Sequence, residues 1–189
     1  MTGSDLLSLG LRTISEPRAA AREVLALPLP RSEHWNAFLL VIVLAGALQQ
    51  LAVLTTPQDP ELPRVTGLMM AAVLGGSILL LAATIQVVGR WFGGSARFED
   101  TLLLVVWLEY ILVGLQVLQL VLMILLPPAA GLVTIFSLVA TIWILVNFIA
   151  EVHGFESLGK VFLSMILTAF GLSFLLALVL AAMGVTLGA

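Results

Sequence analysis

Apolar residues fill five long stretches of this chain, which short polar segments separate. The stretches cover residues 35–54, 67–88, 101–126, 129–150 and 161–183. A helix needs about 20 apolar residues to cross the roughly 30 Å hydrocarbon core of a bilayer. Backbone polar groups in lipid must pair within their own segment, so helices are the expected form. The pattern therefore predicts an all-α, polytopic membrane protein with five transmembrane helices, and assigns residues 35–189 to this domain.

Residues 1–34 follow a different pattern and predict a cytoplasmic region that contains an amphipathic helix. Residues 17–27 read as a short helix with proline in its first turn and Ser15 or Glu16 as a possible cap. Two interpretations remain open for its apolar face: contact with the membrane interface, or contact with the protein's own inside loops. At helical spacing the apolar residues fall on one face and the charged residues on the other. The apolar residues are Ala20, Ala21, Val24 and Leu25, and the charged residues are Arg18, Arg22 and Glu23. Leu7, Leu11 and Ile14 repeat the apolar spacing upstream.

Basic residues collect on one side of the predicted membrane. With a cytoplasmic N-terminus, seven of the eight Lys and Arg residues fall inside and only Arg64 falls outside. Loops on the cytoplasmic side of membrane proteins carry such an excess of positive charge. We therefore expect the N-terminus in the cytoplasm and the C-terminus on the opposite side. The seven inside residues are Arg12, Arg18, Arg22, Arg31, Arg90, Arg97 and Lys160.

Composition agrees with the membrane class and excludes several others. The chain is 61% hydrophobic and 10% charged, whereas soluble domains are about 45–50% apolar and about 25% charged. The net charge of −3 argues against nucleic acid as a partner, and the absence of cysteine excludes disulfides and cysteine-ligated metals. No zincin, nucleophile-elbow or phosphate-loop motif occurs. We expect no enzyme activity, no cofactor and no metal.

Glu109 is the one acidic residue placed well inside a predicted span. A charged carboxylate at that depth costs about 2.5–3.5 kcal/mol, so such residues usually face a partner or a cavity. Gln116 falls on the same face, with Gln119 close by, and Asn147 lies at a comparable depth on the fourth span. These four residues form a predicted intramembrane polar cluster. It is either a proton or ligand site, or a neutral carboxyl that holds the third and fourth spans together.

Two spans carry small residues at helical spacing, which lets helices approach closely. The pattern predicts either packing within the chain or an interface between copies of it. The residues are Gly67, Ala71 and Gly75 in the second span, and Ser164, Thr168 and Gly171 in the fifth.

Three segments together resemble the bacterial branch of the Yip family, the Rab/Ypt-GTPase-interacting membrane proteins. They are ISEPRAAAREVLAL before the first span, FGGSARFEDTLLLVVWLEY into the third, and TIWILVNFIAEVHGFESLGKVFLSMIL across the fourth and fifth. Similar features are a cytosolic N-terminal region, five spans, a Gly-Gly loop (Gly93-Gly94) and a His-Gly loop (His153-Gly154). The resemblance implies a five-span protein of the bacterial inner membrane, with a periplasmic C-terminus. The DLYGP-type motif of the eukaryotic branch is missing, so Rab binding is not implied.

These observations favour a non-enzymatic integral membrane protein that acts by association, in an accessory, scaffold or membrane-organising role. Its expected partners are the lipid bilayer and other membrane proteins or a second copy of itself. The N-terminal helix and the inside loops would provide the contact surface. The alternative is a small transporter or channel subunit with Glu109 lining the pathway, and an intramembrane enzyme is the least favoured reading.

Overall fold

A computed structural model describes residues 3–55 and 66–183 of the chain, and its fold is all-helical within them. Five of the helices are long and apolar enough to cross a membrane, as predicted, and two shorter helices precede them. Residues 56–65, which include Arg64 and were predicted to lie outside, and residues 184–189 are not among the described residues. The helices are α1 (Gly3–Ser15), α2 (Pro17–Leu25), α3 (Arg31–Thr55), α4 (Gly67–Trp91), α5 (Phe98–Leu125), α6 (Pro127–His153) and α7 (Leu158–Ala182).

All five long helices continue three or four residues beyond the predicted spans at the same end of the bundle. The first span begins at Arg31 instead of residue 35, and the fourth ends at His153 instead of residue 150. Hydropathy falls at the polar residues of these turns, but helical hydrogen bonding continues through them. We call this the basic end and the opposite one the far end. Arg18, Arg22, Arg31, Arg90, Arg97 and Lys160 all lie in segments at the basic end.

The packed core occupies the half of the bundle nearer the basic end. α5 lies at its centre, and six consecutive residues from Thr101 to Val106 are buried. Towards the far end the same helix exposes Val117, Val121 and Ile124. Lipid tails are as apolar as these side chains, so exposing them there has no hydrophobic cost. The bundle is thus held by protein contacts at the basic end and surrounded by lipid along much of its far half.

The apolar face of α2 packs against the spanning helices. Ala20, Ala21 and Val24 are at most 1% exposed. They belong to one buried cluster with Leu103, Leu104 and Leu108 of α5 and with Ala140, Ile144 and Phe148 of α6. The apolar face of α2 therefore contacts the protein itself and not the membrane interface. The contact surface is the spanning helices α5 and α6.

The polar face of α2 is fixed to the end of α6 by two arginines. The Nε atom of Arg18 and the Nη1 atom of Arg22 both donate to Oε2 of Glu151, at 3.2 and 3.1 Å. Arg18 also donates to the carbonyl of Phe155 at 2.8 Å. The side chain of Glu151 is only 16% exposed, so the two guanidinium groups supply the hydrogen bonds that its carboxylate needs away from water.

α1 is held by two tryptophan side chains from the spanning helices. Trp107 donates its indole N–H to the hydroxyl of Thr13 at 2.9 Å, and Trp143 donates to the carbonyl of Ile14 at 3.2 Å. Both indole donors are therefore satisfied by the same short helix. Leu6, Leu7 and Leu11 of α1 are exposed beside polar residues of the same helix, so α1 has the amphipathic character of a helix at the membrane boundary.

The tight packing of α2 predicts a size limit at Ala20. We expect Ala20→Leu to lower the unfolding free energy by about 1–3 kcal/mol, because the added carbons have no space between α2 and α6. Ala26→Leu is the matched control, since Ala26 is exposed at the end of α2. Thermal unfolding of both variants in detergent micelles measures the difference. Equal effects would show that α2 is not packed in this way.

Candidate functional site

A polar cleft lies within the membrane-spanning part of the bundle, between α3, α4 and α5. It is half-enclosed and has a volume of about 290 Å³. Its polar lining consists of Gln49 from α3, Ser77 from α4, and Glu109 and Gln116 from α5. The rest of the lining is aliphatic or small. The cleft thus places a carboxyl near the middle of α5, and two amides further towards the far end, on one apolar-walled surface.

The cleft begins where the packing between these three helices ends. Ile42, Ile78 and Val106 belong to the buried cluster that joins α3, α4 and α5 on the side of the basic end. A Cβ atom added to Gly75 would lie 2.9 Å from the Cδ1 atom of Ile42, so α3 and α4 are in close contact there. One turn further along α3 the lining residues include Gly46, beside which a Cβ would meet nothing within 4 Å. Small side chains therefore leave the space open.

Glu109 has no protein partner in this cleft. Among the described residues, none forms a hydrogen bond or an ion pair with its carboxyl group. Gln116 reaches across to Gln49, with 3.5 Å between Nε2 and Oε1, and Ser77 donates to the carbonyl of Leu74 in its own helix. A carboxylic acid offers one donor and several acceptor sites. The carboxyl of Glu109 is therefore available to a group from outside the described chain.

The predicted polar cluster is only half assembled. Glu109 and Gln116 share the cleft, but Gln119 turns towards α6 and donates to the hydroxyl of Thr134 at 2.9 Å. Gln119 lies ten residues beyond Glu109, and at about 100° per residue this places it on a different face of the helix. Asn147 is buried and donates to the carbonyl of Trp143 in its own helix, at 2.8 Å. The polar link between α5 and α6 thus runs through Gln119 and not through Glu109.

Two of the four polar residues in the cleft were missed by the sequence reasoning. Gln49 carried a usable signal, because the pair Gln49-Gln50 interrupts an apolar span. Ser77 carried none, since serine is common in spans simply as a small residue.

The Gly93-Gly94 and His153-Gly154 loops end their preceding helices in the same way. Gly93 and Gly154 have positive φ angles of 86° and 75° and follow the ends of α4 and α6. The N–H of Gly94 donates to the carbonyl of Gly89 at 2.9 Å, and the N–H of Phe155 donates to that of Ala150 at 2.7 Å. This is the hydrogen bond of the Schellman motif, in which glycine accommodates the left-handed residue.

The two loops meet at the ring of His153, which is 3% exposed. A Cβ atom at Gly89 or at Gly94 would overlap this ring. The Nδ1 atom accepts from the N–H of Ala96 at 3.4 Å, and Nε2 lies 3.0 Å from the carbonyl of Ile85. A backbone N–H can only donate, so Nδ1 is unprotonated and Nε2 carries the hydrogen that Ile85 accepts. A neutral histidine therefore joins α4, α6 and the loop between α4 and α5, which we call the histidine contact.

Gly89 was also missed, because a glycine at the end of a span has no distinctive sequence signal. Of the predicted small residues, Gly75 makes the close helix contact described above, and Ala71 packs at the edge of the same cluster. Gly67 and Gly171 are exposed and would accept a Cβ without contact. The hydroxyls of Ser164 and Thr168 donate to carbonyls of their own helix, at 2.8 and 2.7 Å.

Five apolar spanning helices with two short helices docked on their basic end define a multi-pass membrane protein. A family model, the Yip1 domain, matches residues 11–181. The chain therefore belongs to the Yip1 family, which confirms the family seen in the sequence but not its bacterial branch. The matched region runs from within α1 into the last turn of α7, so it includes both the cleft and the histidine contact. No curated protein matches the chain, and no solved structure does.

The histidine contact predicts strong coupling between Gly89 and His153. We expect Gly89→Ala to destabilise the protein by about 1–3 kcal/mol through overlap with the ring. In a protein that already carries His153→Ala, Gly89→Ala should lower the unfolding free energy much less. The difference is a coupling free energy of about 0.5–3 kcal/mol. Gly159→Ala is the matched helical control, because a Cβ there meets nothing within 4 Å. Thermal unfolding in detergent measures the cycle, and additive effects would contradict the contact.

Proposed function

We propose that this Yip1-family protein acts by association, binding another membrane protein within the bilayer through the cleft between α3, α4 and α5. The observation that carries the proposal is the carboxyl of Glu109, which faces the cleft without a hydrogen bond or ion pair from the described residues. Gln49 and Gln116 extend the polar surface around it. The partner we infer is a transmembrane helix with a hydrogen-bonding side chain.

Energetics support a helix as the occupant. A carboxyl at membrane depth is costly unless it is paired, and intramembrane polar residues usually face a partner or a cavity. Hydrogen bonds between helices in membranes contribute about 0.6–2 kcal/mol each. The small residues Ala45 and Gly46 on one wall would allow a helix to approach closely. A single polar side chain on the partner could then reach Glu109 and an amide at once.

The N-terminal helix is a less suitable contact surface than its sequence predicted. The apolar face of α2 is buried against α5 and α6, and its arginines already bond to Glu151. We therefore place the main association surface among the spans and assign α2 to the structure of the protein. The role we propose involves no catalysis.

We also propose that the basic end faces the cytoplasm of a bacterium and that the protein spans its inner membrane, with a periplasmic C-terminus. The support is the charge pattern: the helices bring Arg31, Arg90, Arg97 and Lys160 to one end, together with the arginines of α1 and α2. Such an excess is typical of the cytoplasmic side.

The same cleft favours a second candidate, a small transporter or channel subunit in which Glu109 lines the pathway. The cleft is closed at one end, which argues against a transport pathway. Ile78, Val105 and Val106 are at most 2% exposed and fill the space between the three helices on the side of the basic end. A cleft that ends at a packed layer suits a bound segment better than a moving solute.

Photo-crosslinking in native membranes tests the association. A photoreactive residue at position 113, in the cleft, should give a discrete adduct that the same residue at exposed position 118 does not give. Glu109→Leu should reduce the yield about three- to thirtyfold, as expected for losing one interhelical hydrogen bond. Gln119→Leu is the matched control, because Gln119 bonds to Thr134 outside the cleft.

Two outcomes would contradict the proposal. One is an adduct at position 113 that does not depend on Glu109. The other is solute flux through liposomes that contain only this chain, lowered by Glu109→Gln, which would establish the transporter instead. An adduct with twice the mass of the chain would identify a second copy as the partner.

A further inference from the structure

Two cavities adjoin each other at the basic end, on the side of α7. The deeper one, of about 150 Å³, lies between α4, α6 and α7. The shallower one, of about 570 Å³, surrounds the connection from α6 to α7. Phe92, Phe155, Val161 and Ser164 line both, so the two spaces are continuous. Neither space includes residues of the cleft around Glu109.

The deeper cavity is an apolar groove as long as one bilayer leaflet is thick. Its lining runs along α4 from Leu81 to Phe92, the residue that follows this helix, which is eleven residue steps or about 16 Å. Half of the roughly 30 Å hydrocarbon core is about 15 Å. The hydroxyls of Ser164 and Thr168 in its wall donate to their own helix. Apart from the hydroxyl of Thr84, the groove therefore presents an apolar surface to whatever occupies it.

The groove exists because α7 is loosely attached to the bundle. Val161 is the buried residue of this helix, and most of its other side chains are half-buried or exposed. α7 stands off from the half of α4 that lies near the basic end, and no described side chain fills the gap. In a membrane such a gap is filled by a hydrocarbon chain.

The shallower cavity carries one charge of each sign. Lys160 and Glu156 both line it, both are exposed, and among the described residues neither forms an ion pair. Glu151, only five residues before Glu156, is by contrast bonded to two arginines. Lys160 and Glu156 are thus unneutralised opposite charges at the mouth of an apolar groove.

We propose that these cavities bind one phospholipid whose headgroup carries both a phosphate and a primary ammonium, as in phosphatidylethanolamine. Lys160 binds the phosphate, Glu156 accepts hydrogen bonds from the ammonium, and one acyl chain occupies the groove between α4, α6 and α7. An anionic headgroup without an amine would leave Glu156 facing negative charge. A trimethylated amine has no N–H to donate to its carboxylate.

Native mass spectrometry of the purified full-length chain tests the headgroup. Phosphatidylethanolamine, phosphatidylglycerol and phosphatidylcholine with identical acyl chains are titrated onto the delipidated protein. We expect phosphatidylethanolamine to bind about tenfold more tightly than either of the others, the size of one charged hydrogen bond. Glu156→Gln should abolish this preference while leaving phosphatidylglycerol binding intact or stronger.

Lys160→Gln should weaken binding of all three lipids about tenfold, because each carries the phosphate. Arg90→Gln is the matched control: Arg90 is an exposed basic residue of the same end that does not line the cavities. Equal binding of the three lipids by the unmodified protein would overturn the headgroup assignment, as would equal effects of Lys160→Gln and Arg90→Gln.

A second pair of variants tests the groove independently of charge. Ala169 lines the groove, so Ala169→Phe should fill it and lower the affinity for every diacyl lipid. Ala181→Phe adds the same ring at an exposed position of α7 outside the groove and should leave the affinity unchanged. The thermal unfolding midpoint of each variant verifies that it is folded. Equal lipid binding by the two folded variants would overturn the assignment of the acyl chain.

Discussion

The histidine contact is the constraint on which the arrangement of the bundle depends. The ring of His153 fits between α4 and α6 only because Gly89 and Gly94 have no side chains. Its two nitrogens bond to Ile85, in the last two turns of α4, and to Ala96, two residues before α5 begins. One side chain therefore sets the separation of three helices at the basic end. Phe155, in the connection between α6 and α7, stacks on the same ring.

Because the helices are tightly packed at the basic end, they can pack less tightly in the far half of the bundle. There the spanning helices separate, and lipid or another protein replaces the contacts that a soluble protein would have to make itself. The two candidate sites reflect this division. The cleft around Glu109 begins where the core ends, whereas the groove beside α7 lies at the level of the core, along a helix that the core does not fully enclose.

The sequence was sufficient to predict the five apolar spans and the family, because lipid imposes a hydropathy pattern that depends little on detail. It predicted Gly93-Gly94 and His153-Gly154 as two loops but not their meeting, which depends on an unremarkable third residue, Gly89. It included Gln119 in the polar cluster of Glu109 and Gln116, although the position of Gln119 around the helix turns its side chain towards α6. The face of α2 could not be assigned, since one amphipathic pattern suits lipid and protein equally.

The bond between Arg18 and Glu151 joins residues 133 positions apart. During synthesis at about 5–20 residues per second, α2 emerges roughly ten seconds before its binding surface on α6 exists. For that interval its apolar face has no protein partner, and the bilayer surface is the nearest medium that can accept it. The amphipathic pattern of α2 is therefore compatible with two successive environments: the membrane surface before α6 is made, and the surface of α5 and α6 in the completed bundle.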